Sequence, residues 1–173
     1  MLKPINVGRY LKKNYSIMLE DYNQFLFSIT FIILPVLFSI LVMYFIDSES
    51  ISSIIGNSIS FFSIIVGFLI NLLVLLLGKS KIKSKDKLNL DIEKLRKHLS
   101  FNILNSIIFG VGLVVLILFY GNFDLIITIK DISINLAEFV LLFLFFHVIM
   151  LILNIIRKFG VYVETRFANW GLR

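Results

Sequence analysis

Four apolar runs, 25–46, 57–77, 101–120 and 137–156, decide what this chain can fold into. Each is about twenty residues long, and twenty helical residues rise about 30 Å, the thickness of a bilayer's hydrocarbon. None contains Asp, Glu, Lys or Arg except Glu138, which falls at a rim. Stretches such as "LINLLVLLL" and "VGLVVLILF" do not alternate in polarity, as the strands of a membrane barrel would. The pattern predicts an all-α integral membrane protein, a four-transmembrane-helix bundle. Composition points the same way: 16% of the 173 residues are charged, against about 25% in soluble domains. The first run is too long for a signal-peptide core and no small-x-small cleavage pattern follows it, so it is expected to be a retained span.

Charge orients the spans. Lys3, Arg9, Lys12 and Lys13 precede the first run. Lys79, Lys81, Lys83, Lys85, Lys87, Lys94, Arg96 and Lys97 separate the second from the third, and Arg157, Lys158, Arg166 and Arg173 follow the fourth. Only Lys130 lies in either of the other two connections. The positive-inside rule therefore predicts both termini and the central loop in the cytoplasm. The expected organisation is an amphipathic interfacial segment over 1–24, a transmembrane domain over 25–156 with a basic loop at 78–100, and a cytoplasmic tail over 157–173. Tyr10, Ile17 and Tyr22 suit the headgroup region in the first segment. Tyr162, Phe167 and Trp170 suit a tail that folds back along the inner surface. "DSESISSIIG" reads as an external turn, and "FDLIITIKDISI" as a short helix or strand at the outer interface.

Within the central loop, Asn89 or Asp91 suits the cap of a helix starting near residue 90, which would run into the third span or lie briefly on the inner leaflet. Ile92, Leu95 and Leu99 would share one face of it. The eight basic residues from Lys79 to Lys97 suit topology control, contact with anionic phospholipid headgroups, or docking of a cytosolic protein. They lack the interleaved aromatics of single-strand binders, so direct nucleic acid binding is not expected.

Polar residues inside the spans follow helical spacing. Ser60, Ser63, Gly67 and Asn71 trace one side of the second span, suited to close helix packing or to a pore wall. Asn102, Asn105 and Gly112 mark the third span, where the neighbouring glycines of "FGVG" would loosen the helix or admit a bulky partner side chain, and His147 and Asn154 share a face of the fourth. Pro35, in the first span, is expected to kink its helix and free a carbonyl for a neighbouring helix or water. The predicted orientation puts the amides at one level, in the inner half, as a buried polar network.

No carboxylate or arginine accompanies them, which argues against ion pumps, proton relays and voltage sensors. With no cysteine, no HExxH, no GxSxG, no Walker sequence and no paired carboxylates, neither an enzyme nor a metal or cofactor site is expected. The lysine-rich central loop, "GFLINLL" and "FHVIMLILNIIRK" together make the layout resemble small four-span membrane components of bacterial antiphage defence systems, such as the Kiwa membrane subunit. The resemblance implies an inner-membrane homo-oligomer that senses attack or membrane disturbance. Such a protein relays the signal to a separate cytosolic effector protein or depolarises the membrane itself. The leading expectation is thus a non-enzymatic scaffold or sensor. The alternatives are a pore-forming effector or gated channel, and a small carrier or accessory transporter subunit.

Overall fold

The computed structural model describes residues 7–78, 87–120, 126–129 and 132–171. Among them, four helices are long and apolar enough to cross a membrane: Gln24–Phe45, Ser48–Leu77, Leu90–Phe119 and Leu136–Phe167. The chain is a multi-pass helical membrane protein.

A short helix, α1 (Val7–Asp21), precedes the spans. It packs on the bundle: Met18 and Ile17 are buried, and Met18 joins Phe27, Phe31 and Leu151 in one apolar cluster. Asn23 then caps α2 (Gln24–Ser28), its Oδ1 accepting from the Leu26 N–H at 2.8 Å. A π-helical turn, Ile29–Ile33, joins α2 to α3 (Leu34–Phe45). Pro35 accounts for this turn. Its ring lacks an N–H and crowds the carbonyl four residues back, and widening the helix by one residue relieves the clash. The Leu34 N–H accordingly reaches five residues back, to Ile29 O.

The connection to the second span is tighter than the sequence suggests. Instead of a turn through "DSESISSIIG", α4 (Ser48–Leu77) begins at once. Asp47 caps it, accepting from the Ser50 N–H at 2.8 Å and the Ser50 hydroxyl at 2.9 Å. These bonds hold its carboxyl below the usual aspartate range. One and two turns in, Ile51 and Ile55 are already core residues.

Next, α5 (Lys87–Phe119) carries the expected helix of the central loop straight into the third span, with Ile92 and Leu99 buried on the predicted face. The connection between the third and fourth spans forms a hairpin: β1 (Ile126–Ile129) pairs antiparallel with β2 (Ile132–Asn135), Ile126 opposite Asn135.

The last helix, α6 (Leu136–Gly171), passes Arg157 unbroken. The tail expected to fold back continues it because nothing between 157 and 171 stops a helix. No proline intervenes, and Gly160 faces open space. Tyr162 is buried, and Arg166, one turn on, donates to its hydroxyl at 2.9 Å. Lys79, Lys81, Lys83 and Lys85 lie outside the described residues.

Candidate functional site

The helices divide the polar side chains into a buried layer and an outward stripe. The layer starts where Phe109 of α5 meets His147 of α6, ring centroids 5.1 Å apart. The two helices flank one hairpin and run antiparallel, so equal steps away from this contact stay level. Asn105 and Ser106 therefore come level with Met150 and Leu151, and Asn102 with Asn154. Asn102, Asn105, Ser106, His147 and Asn154 are each 5% exposed or less. Four residues of the expected polar network are thus buried at neighbouring levels, with Ser106 one turn from Asn102, but no hydrogen bond links any of the five to another.

His147 answers Pro35. Its Nδ1–H donates to the Phe31 carbonyl at 2.8 Å. That carbonyl is the one whose α-helical donor would be the missing N–H of residue 35. The expectation that proline frees a carbonyl toward a neighbouring helix is met here, with His147 as the donor. Rings of Phe31, Phe109 and Phe143 surround the imidazole. Deeper toward the basic end, Asn154 Oδ1 accepts from the Tyr22 hydroxyl at 3.0 Å and from Arg157 at 3.4 Å. The Arg157 guanidinium lies 4.7 Å from the Tyr22 ring centroid, so α1 and its linker close the layer. On α1 itself, burial raises the Tyr15 hydroxyl pKa.

Much of the layer's capacity is unspent. Both amide atoms of Asn102 and Asn105, Ser106 Oγ, His147 Nε2 and Asn154 Nδ2 are buried with no hydrogen-bond partner. Each such group costs about 1–3 kcal/mol. The layer is therefore held by the apolar clusters on either side of it: Phe62, Leu113 and Val148 on one side, Leu69, Leu99, Ile103 and Ile155 on the other.

The stripe of α4 faces the opposite way. Ser60, Ser63, Gly67 and Asn71 are all exposed, while Phe62, Leu69 and Leu76 point into the bundle. Asn71 is thus separate from the network in which the sequence placed it. Ser63 satisfies itself on the Ile59 carbonyl at 2.7 Å. Asn71 has no hydrogen-bond partner among the described residues. The glycines of "FGVG" also divide. A Cβ on Gly110 would stand 2.8 Å from Val66 Cγ2, so this glycine admits α4, whereas Gly112 is exposed with nothing within 4 Å.

Glu138 is the residue whose role sequence reasoning missed. It is 3% exposed and accepts from the Ser48 hydroxyl at 2.6 Å, the Tyr120 hydroxyl at 2.9 Å and Asn135 Nδ2 at 3.2 Å. It thereby ties the start of α4, the end of α5 and the start of α6 together. The signal was present as Asn135-x-x-Glu138, the spacing of a capping box: Asn135 Oδ1 accepts from the N–H groups of Ala137 and Glu138. Of the central basic residues within the described helix, Arg96 pairs with Glu93 at 2.5 Å, and Lys94 and Lys97 are exposed.

Among the described residues no group of three His, Asp or Glu side chains is placed to hold a metal. No family model, curated protein or solved structure matches the chain.

Proposed function

We propose that this chain is a non-enzymatic scaffold or sensor of the bacterial inner membrane, assembling with copies of itself and coupling membrane events to a cytosolic partner. Its basic end faces the cytoplasm, so the lysine-rich segment and both termini meet that partner. One observation carries the reading: Asn71 is exposed among the apolar residues of the basic half of α4, with no partner for its amide among the described residues. Water is absent from hydrocarbon, so the group is stable only where another protein surface meets it. A second copy supplies what fits. Asn71 offers donor and acceptor at once, and Gly67 one turn away lets the backbones approach. A two-fold contact of this kind is self-complementary. The resemblance to antiphage membrane subunits supplies the setting, detection of phage attack and relay to a separate effector.

The absence of cysteine makes the test direct. Gly67→Cys should crosslink into dimers in native membranes under mild oxidation, and Leu69→Cys, whose side chain points into the bundle, should not. Failure of Gly67→Cys, with a monomeric mass in mild detergent, overturns the reading.

The outward position of Ser60, Ser63 and Asn71 also favours one second reading, a pore lined by this stripe where several copies meet. Ion flux through the protein in sealed liposomes, abolished by Asn71→Leu while the oligomer persists, would put that reading first. An impermeable oligomer leaves the scaffold.

A further inference from the structure

At the basic end of the bundle, α4 and α6 enclose a groove of about 310 Å³. Its walls are hydrocarbon: Leu72 and Leu75 from α4, Phe159 and Val163 from α6. Arg166 and Tyr162 also line it, the guanidinium Nη1–H donating to the Tyr162 hydroxyl at 2.9 Å. We propose that this groove is a specific binding site for one anionic phospholipid, the acyl chain lying along the leucine, phenylalanine and valine walls and the phosphate on Arg166.

Three observations point to this occupant. The first is depth. The two helices run parallel from the opposite end, where Ser48 meets Glu138, to the basic end, where Leu76 and Tyr162 share a cluster. The apolar sequence of α4 stops at Leu77, and Arg166 lies one turn beyond Tyr162 on α6. The guanidinium therefore stands where hydrocarbon gives way to headgroups, with the apolar walls running back from it into the bilayer.

The second is charge. Arg166 has no carboxylate partner among the described residues. Its tyrosine bond is neutral and orients the planar guanidinium while leaving other N–H groups for a phosphate. The α4 wall carries no charge, and the chain leaves α4 directly into Lys79, Lys81, Lys83 and Lys85. The third is the balance of the lining, overwhelmingly apolar with one cation at its end. A free phosphate has no use for such walls, and an acidic peptide has no complement for them, whereas a diacyl phosphate uses both parts. Basic pockets between membrane helices are the setting in which such lipids are held individually.

The test uses the full chain in mixed micelles containing equal amounts of phosphatidylglycerol and phosphatidylcholine, with retained lipid counted by native mass spectrometry. The parent should retain phosphatidylglycerol in preference. Arg166→Gln, which removes the charge, and Val163→Trp, which fills the groove and keeps the charge, should each reduce that retention about tenfold. Lys12→Gln, an exposed cation of α1 outside the groove, should leave it nearly unchanged, and millimolar inorganic phosphate should not displace the lipid. Helical circular dichroism and a single elution peak verify that each variant is folded, and if Arg166→Gln fails that check, Val163→Trp decides.

Equal retention of both lipids overturns the proposal. So does a loss in Lys12→Gln as large as in Arg166→Gln, the mark of diffuse surface attraction. Full retention by folded Val163→Trp, or displacement by phosphate, reduces the site to a bare anion contact and likewise overturns it.

Discussion

Asn71 of α4 and Asn105 of α5 stand at the same level of the bundle, because Gly110 meets Val66 and these two antiparallel helices keep step from that contact. The residues are chemically identical, and each sits on a span with small or polar neighbours at helical spacing. Yet Asn105 is 2% exposed between α5 and α6, and Asn71 faces out of the bundle. The layer is enclosed by its own chain and the stripe is left for something else to enclose. A polar group's type and depth therefore do not define its role. Which helix face the apolar residues claim decides that, and on α4 they claim the side of Phe62, Leu69 and Leu76.

The largest effect that can break this division comes from the paired glycines. Gly110→Leu forces a side chain into Val66 and should cost about 3 kcal/mol of stability. Gly112→Leu meets open space, loses no packing and gains helix propensity, so it should be neutral or stabilising by up to about 1 kcal/mol. Reversible unfolding in mixed detergent micelles measures both. Similar penalties at the two positions would mean that the α5 face carrying Gly112 is also packed.

The asparagines come next. Asn154→Leu removes the acceptor of the Tyr22 hydroxyl and of Arg157, and should cost about 1–2 kcal/mol in unfolding while leaving self-association intact. Asn71→Leu should do the reverse, leaving unfolding of the single chain unchanged and weakening self-association about tenfold. Concentration-dependent energy transfer between labelled copies in liposomes reads the second quantity. A loss of single-chain stability in Asn71→Leu would place this residue inside the bundle after all.

How much of this was legible in the sequence follows from the same physics. The four spans were, because length and apolarity are properties of a single segment. So was the shared face of Ile92 and Leu99, which spacing alone defines. The limits of the second span were missed because Asp47 acts as a cap that shortens the turn, and serines between Ile51 and Ile55 disguise a buried face. The continuation of α6 was missed because Tyr162 and Phe167 suit an interface and a helix wall equally well, and only their neighbours choose. The direction of the α4 stripe was not legible, since periodicity gives the angle between residues on one helix and says nothing of where the next helix lies. The role of Glu138 is legible only together with Asn135 three residues before it, because a rim position alone does not show that the carboxylate meets Ser48 and Tyr120.

The smallest effect probes the layer from within. His147→Leu should cost about 1–2 kcal/mol, because it leaves the Phe31 carbonyl without its donor in a buried position. Pro35→Ala restores an N–H at the position from which an α-helix would serve that carbonyl. In the Pro35→Ala background the cost of His147→Leu should therefore shrink by about 1 kcal/mol, a coupling measurable by a double-mutant cycle on the same unfolding transition. Strict additivity would mean that histidine and proline are independent and that the imidazole answers some other group of the layer. Coupling of the expected sign and size makes the pair a single device: the first span gives up a backbone bond at its π-helical turn, and the fourth returns it through a side chain. No residue of the α4 stripe has an internal partner of this kind, so Asn71→Leu should show no coupling to Pro35→Ala.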